Sequence, residues 1–439
     1  MSVDANSSTA PTTDSSFELG SRYREVRGWS ESLCAPLQPE DYVVQSMVDA
    51  SPAKWHLAHT TWFFEEFVLQ QAGSNYEPFD PQFSFLFNSY YNAVGDRHPR
   101  PRRGMLTRPT IDEVYKYRHE IDVLILELLE GELSEQTRAV IEVGLHHEQQ
   151  HQELLLTDVK HLLSNNPLRP AYRTANDAAP TFKSRHNGDG NGASRTNWLR
   201  QPEGLYTVGH DGEGFCYDNE TPQHRVFLQT FELGSQLVTN AEYQAFVEDD
   251  GYTRAELWLS DGWDAVRKHG WHAPLYWERD DDGWSSYTLH GMLPLDEAGP
   301  VCHVSFYEAD AYTRWVGARL PLEAEWEVVA AAAPAEGNFA DSEQFHPLQP
   351  QSNADSHWQL FGDVWEWTAS PYAAYPGYRP PEGALGEYNG KFMCNQMVLR
   401  GGSCATPPSH IRATYRNFFY PDARWQFSGI RLARDAQSH

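Results

Sequence analysis

The stretch VIEVGLHHEQQHQELLLTD, residues 140–158, carries the clearest helical pattern of the N-terminal half. Selected residues recur in alternating steps of four and three, a spacing that places them on one face of an α-helix. That face consists of Val140, Gly144, His147, His151, Leu154 and Asp158. Because apolar residues share the face with both histidines, we predict a helix over 134–163 whose histidines point into a helical core.

Three further segments of the N-terminal half have helical periodicity. They span residues 17–33, 41–71 and 111–130. Ser51-Pro52 is placed to open a second part of the long segment, because proline favours the first turn of a helix. Together with 134–163 they predict a four-helix bundle over residues 17–164. The Ser/Thr-rich residues 1–16 are predicted to form a disordered tail.

The chain changes character after the fourth helix. Residues 165–199 contain several prolines and a Gly/Asn/Asp run, which predict a linker. From 200 to 436, short apolar runs such as 225–228 and 398–400 alternate with turn residues, and helical patterns are brief, at 240–248 and 305–316. We therefore expect a multidomain protein, all-α first and α+β second.

Composition limits the classes of function. The 439 residues include 34 Lys and Arg against 61 Asp and Glu, for a net charge of −27, which disfavours binding to nucleic acid. No apolar run is long enough to span a membrane. The five cysteines are scattered and the N-terminus lacks the pattern of a signal peptide. These features predict a cytoplasmic protein whose partners are neither nucleic acids nor membranes.

Histidines supply the first candidate site. His147 and His151 lie at i and i+4, close enough on a helix to bind one metal ion, although two solvated histidines are an ordinary alternative. The segment WHLAHTTWFFE, residues 55–65, offers a third ligand from another helix, and spacing alone does not choose between His56 and His59. HEQQH also matches the zinc-peptidase pattern HExxH, but no further ligand follows at the spacing of that family.

A basic segment supplies the second candidate site. Residues 97–103, RHPRPRR, place five cationic or potentially cationic side chains within seven positions of a strongly acidic chain. A solvated loop is the ordinary explanation. The alternative is a carboxylate clamp, because the guanidinium group presents paired N–H donors.

Longer motifs in both halves resemble known families. HLAH and HHEQQH are similar to the metal-binding helical bundle of DinB-type proteins. GARLPLEAEWE (317–327), GDVWEW (362–367), RGGS (400–403) and GIRLA (429–433) resemble the formylglycine-generating enzyme, or sulfatase-modifying factor, domain, which has a C-type-lectin-like fold. The combination resembles the EgtB-type sulfoxide synthases of ergothioneine biosynthesis. Those non-haem iron enzymes use O2 to join the sulfur of a cysteinyl thiol to the imidazole of hercynine.

The resemblance implies roles for individual residues. It makes His59, His147 and His151 the ligands of Fe(II), with O2 as cosubstrate, whereas spacing alone would equally allow zinc. It also implies that Gln150 and Asn417 contact hercynine. A tyrosine close to the metal could donate a proton, and the pair Tyr90 and Tyr91 is our candidate.

The identity of the thiol substrate is predicted from positions at which two branches of the family differ. The branch that uses γ-glutamylcysteine has an aromatic and then an acidic residue after the asparagine, whereas this chain has Phe418 and Phe419. Tyr90-Tyr91 and the basic segment resemble the branch that accepts free cysteine. We therefore expect cysteine as the thiol, with Arg103, and beside it Arg100, binding its carboxylate.

Two other functions fit parts of the chain. A formylglycine-generating oxidase would work through a pair of cysteines, but Cys394 and Cys404 stand ten positions apart, away from that spacing. A zinc-dependent thiol transferase bundle joined to a lectin-like binding module is the other alternative. Residues 362–364 are in addition a candidate site for a structural Ca²⁺.

Overall fold

The computed structural model describes residues 13–72, 76–173, 197–349 and 359–436. The chain forms two compact units. The first contains the chain up to Ser89 together with Val94–Gln152, and the second contains Tyr90–Ala93 together with the chain from Glu153 onward. Among the described residues, no helix has the length and apolar content that crossing a membrane would require.

The first unit is helical. Its helices are α1 (Thr13–Cys34), α2 (Ala53–Phe64), α3 (Gln70–Ala72), α4 (Phe83–Phe87), α5 (Ile111–Leu129) and α6 (Glu135–Ser164). A π-helical stretch, Glu65–Leu69, joins α2 to α3, and a 3₁₀ turn spans Arg100–Met105. Helix α5 packs against both α1 and α2. The four long helices are those that the periodicity predicts.

Two predicted boundaries are wrong. The helix expected over 41–71 begins only at Ala53, and residues 41–52 form turns and extended chain. Pro52 precedes the first turn with an extended backbone, φ −60° and ψ 145°. Proline disfavours helical geometry in the residue before it, so the helix cannot run through this point. Helix α1 begins at Thr13, inside the expected tail 1–16, and residues 1–12 of that tail lie outside the described residues.

Helix α2 forms the centre of this unit. All of its residues from Ala53 to Phe64 are buried, including His56 and His59. A helix that is buried on every side is surrounded by other elements. Its histidines are therefore held in the protein interior and not in a solvated loop.

The second unit is α+β. Its helices are α7 (Asn240–Glu248), α8 (Ser260–His269), α9 (Phe306–Trp315) and α10 (Glu323–Ala330). Its strands are β1 (Trp198–Gln201), β2 (Gly204–Val208), β3 (His224–Leu228), β4 (Phe231–Leu237), β5 (Trp277–Asp280), β6 (Gly283–Thr288), β7 (Gly291–Pro294), β8 (Trp365–Pro371), β9 (Met397–Arg400), β10 (Asn417–Phe419), β11 (Ser428–Gly429) and β12 (Arg431–Asp435). The predicted helices at 240–248 and 305–316 are confirmed, the latter with Ser305 as its N-cap.

Four small sheets organise the strands. The orders are β1-β4-β12, β10-β9-β8-β11, β2-β3 and β5-β6-β7. The second sheet carries Asn417, which pairs with Leu399 in the antiparallel contact of β10 with β9. Buried tryptophans such as Trp326, Trp365 and Trp367 fill the core.

The described start of the expected linker packs within the second unit. Of the expected linker, residues 174–196 lie outside the described residues. Before them, Tyr172 is buried and the Arg173 backbone N–H donates to the Leu289 carbonyl at 3.0 Å. Helix α6 contributes residues to both units, since the compact units divide after Gln152. We keep 17–164 and 200–436 as proposed domain limits.

Candidate metal centre

Three buried or half-buried imidazoles converge in the first unit. His59 on α2 and His147 and His151 on α6 each offer a ring nitrogen, and these atoms all lie within 4.8 Å of one another. The Nε2 atoms of His59 and His147 are 3.1 Å apart. Elsewhere in the described chain, no other group of three His, Cys, Asp or Glu side chains is placed to hold one ion. The three residues are those to which the family resemblance gave the metal.

Burial keeps these imidazoles uncharged. It lowers the pKa of His147 to about 3, and it lowers the pKa values of His59 and His151 well below the usual range. The neighbouring His147 lowers the pKa of His59 further, and the neighbouring His59 lowers the pKa of His151 further. Neutral imidazole is the form that binds a metal. The cluster is therefore ready for a cation at physiological pH without losing protons.

Neighbouring groups fix the ring of His59. Its Nδ1 donates to the backbone carbonyl of Phe87 at 2.6 Å, so its Nε2 presents a lone pair to the other two histidines. The indole of Trp55 stacks on the same ring, with centroids 4.5 Å apart and planes 15° from parallel. A ligand held in this way keeps one tautomer and one orientation.

His56 is not one of the three histidines in this group. It is 3% exposed, and its Nδ1 is 2.8 Å from Nδ1 of His151. Spacing did not choose between His56 and His59. In the structure His59 faces His147, whereas His56 contacts Nδ1 of His151.

The donor set suits a divalent transition metal. Three neutral nitrogen ligands leave further coordination positions open, as catalytic sites require, and imidazole suits both iron and zinc. His59, His147 and His151 would hold the ion. The donor set by itself does not distinguish between the two metals.

A buried ionic network stands directly beside the cluster. The Glu148 carboxylate accepts from Arg27 at 2.8 Å, and from Arg118 and Ser30 at 2.6 Å each. Burial would raise the pKa of Glu148, but the two guanidinium groups hold it at about 2. The network ties α1 and α5 to the turn of α6 that carries His147.

The structure does not support the candidate calcium site at 362–364. The Asp363 carboxylate accepts N–H groups from Asn338 at 2.8 Å, Leu348 at 2.8 Å and Gln359 at 3.1 Å. An oxygen ligand of calcium turns its lone pairs to the ion, whereas these oxygens already face N–H donors. The acidic residue therefore holds a loop together.

The basic segment divides into an exposed and a buried part. Arg100 is exposed and donates to the Asp49 carbonyl. Arg103 is 4% exposed, donates to the hydroxyls of Ser51 and Ser89, and stacks on Trp55 at 3.3 Å from the ring centroid. Its charge contributes to the lowered pKa of His59 and of His151. Arg103 is thus the member of the segment whose field reaches the histidine cluster.

Tyr90 and Tyr91 belong to the second unit. Their rings stack with centroids 4.6 Å apart, and Tyr90 also contacts Tyr388 and Phe392. Burial raises the pKa of both phenols above the ordinary value, so both keep their protons at neutral pH. Residues Tyr90–Ala93 are held by Glu387. Its carboxylate accepts hydrogen bonds from the backbone N–H groups of Asn92 and Ala93 at 3.1 and 2.8 Å.

The proposed hercynine contacts lie on different elements. Gln150 is half-buried on α6, one position before His151. Asn417 begins β10, and its side-chain oxygen accepts from the Phe418 backbone N–H at 2.9 Å. Phe418 stacks on Tyr372 at 4.0 Å, and Phe419 contacts Trp425.

Family models and relatives match both halves of the chain. A model of the DinB superfamily matches residues 22–155, and a model described as "Sulfatase-modifying factor enzyme 1-like domain" matches 190–357 and 349–436. A hercynine oxygenase of Mycobacterium tuberculosis is 31% identical over 418 residues, covering 88% of this chain and 91% of that protein. The chain belongs to the hercynine oxygenase family. It is therefore an enzyme, as the sequence predicted.

Two further relatives resemble parts of this hercynine oxygenase family member. A formylglycine-generating enzyme of Streptomyces coelicolor is 30% identical and covers 54% of this chain and 89% of that protein. "Ergothioneine biosynthesis protein 1" of Schizosaccharomyces pombe is 25% identical and covers 50% of this chain and 28% of that protein. The predicted fold class is confirmed: a DinB-like helical domain precedes a sulfatase-modifying-factor domain of C-type-lectin-like fold.

The cysteines of this family member do not favour the formylglycine alternative. Cys404 is fully buried, and burial raises its pKa well above the usual range, whereas Cys394 is exposed. Reactive cysteines sit in accessible surroundings that lower the thiol pKa. Cys404 has the opposite environment.

Sequence reasoning missed two supports of the histidine cluster. Trp55 stands four positions before His59 on a helix, and that spacing is the signal that could have indicated the stacking. The Phe87 carbonyl has no side-chain signature, because any residue offers the same acceptor. Only the fold brings it to His59.

Proposed function

We propose that this protein is a non-haem Fe(II)- and O2-dependent sulfoxide synthase that joins the sulfur of cysteine to C2 of the hercynine imidazole. The observation that carries the proposal is the convergence of buried His59 and His147 with half-buried His151 in a member of the hercynine oxygenase family. The overall reaction balances: a thiol, the ring C–H and O2 give the sulfoxide and one water. Both substrates are small molecules, and we expect the enzyme to act in the cytoplasm.

The proposed metal has a limited task. Bound by the three histidines, Fe(II) would supply open positions for a thiolate and O2 and the electrons that begin O2 reduction. The surrounding residues provide everything else. Trp55 and the Phe87 carbonyl orient His59. Burial of His59 and His147 limits the access of water, which would otherwise compete for the open positions.

The chain's own polar groups would bind the substrates. The amides of Gln150 and Asn417 can each donate and accept hydrogen bonds, and an imidazole ring requires one of each. The guanidinium of Arg103 would bind the carboxylate of cysteine through paired N–H groups. γ-Glutamylcysteine keeps the same free carboxylate on its cysteine, so this contact would hold either thiol. The preference for cysteine rests on Phe418 and Phe419, which stand where the γ-glutamylcysteine-using branch has an aromatic and then an acidic residue.

The decisive experiment is product analysis. Anaerobically reconstituted protein is given hercynine, O2 and either cysteine or γ-glutamylcysteine, and the products are identified by mass spectrometry. Hercynylcysteine sulfoxide formed only by the Fe(II) protein would support the proposal. Equal turnover by the Zn(II) protein, or O2 uptake without a hercynine product, would contradict it.

We predict that cysteine is preferred over γ-glutamylcysteine by at least about tenfold in kcat/KM, which corresponds to about 1.4 kcal/mol. Arg103→Gln should raise the KM for both thiols, because it removes the proposed partner of the cysteine carboxylate that both of them carry. The matched control is Arg102→Gln, an exposed neighbour whose loss should leave both parameters unchanged. Comparable kcat/KM for the two thiols in the unmodified enzyme would refute the substrate assignment.

A second prediction concerns Tyr90 and Tyr91. Cysteine and O2 alone can give cysteine sulfinic acid, whereas formation of the sulfoxide releases water and so requires delivery of protons. A buried phenol that keeps its proton is suited to that delivery. Tyr→Phe at the donor should therefore shift the ratio of sulfoxide to sulfinate toward sulfinate by about tenfold, for about 1.4 kcal/mol of lost selectivity.

The readout is the product ratio, measured with each single variant and the double variant. Tyr420→Phe is the control. It removes the same hydroxyl group from a tyrosine elsewhere in the chain that is 57% exposed. An unchanged ratio in all three variants would mean that the proton comes from another residue.

A further inference from the structure

The second ring nitrogen of His151 faces another histidine. Nδ1 of His151 lies 2.8 Å from Nδ1 of His56, with ring centroids 5.1 Å apart. A hydrogen bond between two neutral imidazoles requires one N–H and one lone pair. Only two arrangements are therefore possible, and they differ in which of the two residues carries the proton at this contact.

The two arrangements have opposite consequences for metal binding. If His56 donated, the proton of His151 would sit on Nε2 and occupy the lone pair that a metal needs. If His151 donates, its Nε2 is free of hydrogen and available as a ligand. Binding of a metal by His151 thus selects the state in which His56 is the acceptor.

His59 provides an internal comparison. Its Nδ1 donates to the Phe87 carbonyl at 2.6 Å, a backbone acceptor that can adopt only one role. The Nδ1 atom of His151 instead faces a side chain, that of His56. That side chain lies on α2, three positions before His59, so one helix supplies a ligand and the partner of a second ligand.

We propose that His56 is a positioning residue that accepts the Nδ1–H of His151 and thereby directs Nε2 of His151 toward the metal. The inference rests on the proposed metal site and goes beyond its three ligands. His56 is 3% exposed, so water has little access to replace it as an acceptor. Losing such a partner typically weakens metal affinity by about 10- to 100-fold.

The test is the Fe(II) affinity of metal-free protein, measured anaerobically by competition with a chromophoric chelator. His56→Phe keeps a ring of similar size and removes the acceptor, so we expect about 10- to 100-fold weaker binding. His56→Gln restores an acceptor oxygen and should recover most of that loss. The thermal midpoint of each metal-free variant separates an effect on the metal from a loss of folding.

Each outcome is informative. Recovery by glutamine but not by phenylalanine supports the proposal, because a role in packing alone would favour the ring. Unchanged affinity in His56→Phe would overturn it while leaving the three ligands intact. Equal loss in both variants would also overturn it, because an acceptor at this position would then not restore metal binding. Failure of the unmodified protein to bind Fe(II) would overturn the metal site together with this inference.

Discussion

Replacing His147 with alanine is expected to abolish stoichiometric Fe(II) binding and, with it, turnover. The side chain supplies one of only three proposed protein ligands, and its Nε2 lies 3.1 Å from that of His59. Removing a ligand should cost more than removing a ligand's hydrogen-bond partner, so we expect a loss of affinity greater than about 100-fold. Metal analysis after anaerobic reconstitution measures the effect directly.

The control for this variant is His119→Ala. His119 is an exposed histidine on α5, and its loss removes an imidazole without touching the cluster. It should retain full iron content and activity. Should the His147 variant hold as much iron as the His119 variant, the ligand assignment would have to be abandoned.

Replacing Glu148 with alanine is expected to destabilise the helical unit by about 3–5 kcal/mol, the usual cost of removing one partner from a buried ionic network. Arg27 and Arg118 are almost fully buried, at 3% and 0% exposed side chain, and each would lose a carboxylate contact. Ser30 would lose its acceptor as well. The free energy of unfolding, followed by urea titration of the helical signal, measures the change.

The matched control is Glu142→Ala on the same helix. Glu142 pairs with Arg22 at 2.9 Å, but the two side chains are 36% and 30% exposed. A solvated pair of this kind contributes less than about 1 kcal/mol. Equal destabilisation by the two variants would show that burial of the Glu148 network does not carry the stability assigned to it.

The long helices were predictable because their signal is local. A period of 3.6 residues requires only neighbouring positions, so the helices around 111–130 and 134–163 appear nearly as expected. The helix that the periodicity predicted over 41–52 does not form, and the sequence explains only where α2 begins. Pro52 opens α2 and disfavours helical geometry at Ser51, so no continuous helix runs across 41–71.

Function was less accessible from pattern alone. The resemblance to ergothioneine-forming sulfoxide synthases identified the family, which the comparison with relatives confirms. A basic run of five cationic positions, by contrast, says nothing about which member is buried. Arg103 stacks on Trp55 whereas Arg100 remains exposed, because packing against α2 selects one side of a short turn.

The spacing of His147 and His151 is enough to place them on one helix face, since i and i+4 meet on any α-helix. The other contacts of the candidate centre depend on the tertiary fold. Only the packing of α2 against its neighbours turns His59 toward His147 and His56 toward the back of His151. Helical periodicity orients a side chain relative to its own axis, but the rotation of one helix against another depends on contacts between residues far apart in the chain. Those contacts place His59 beside His147.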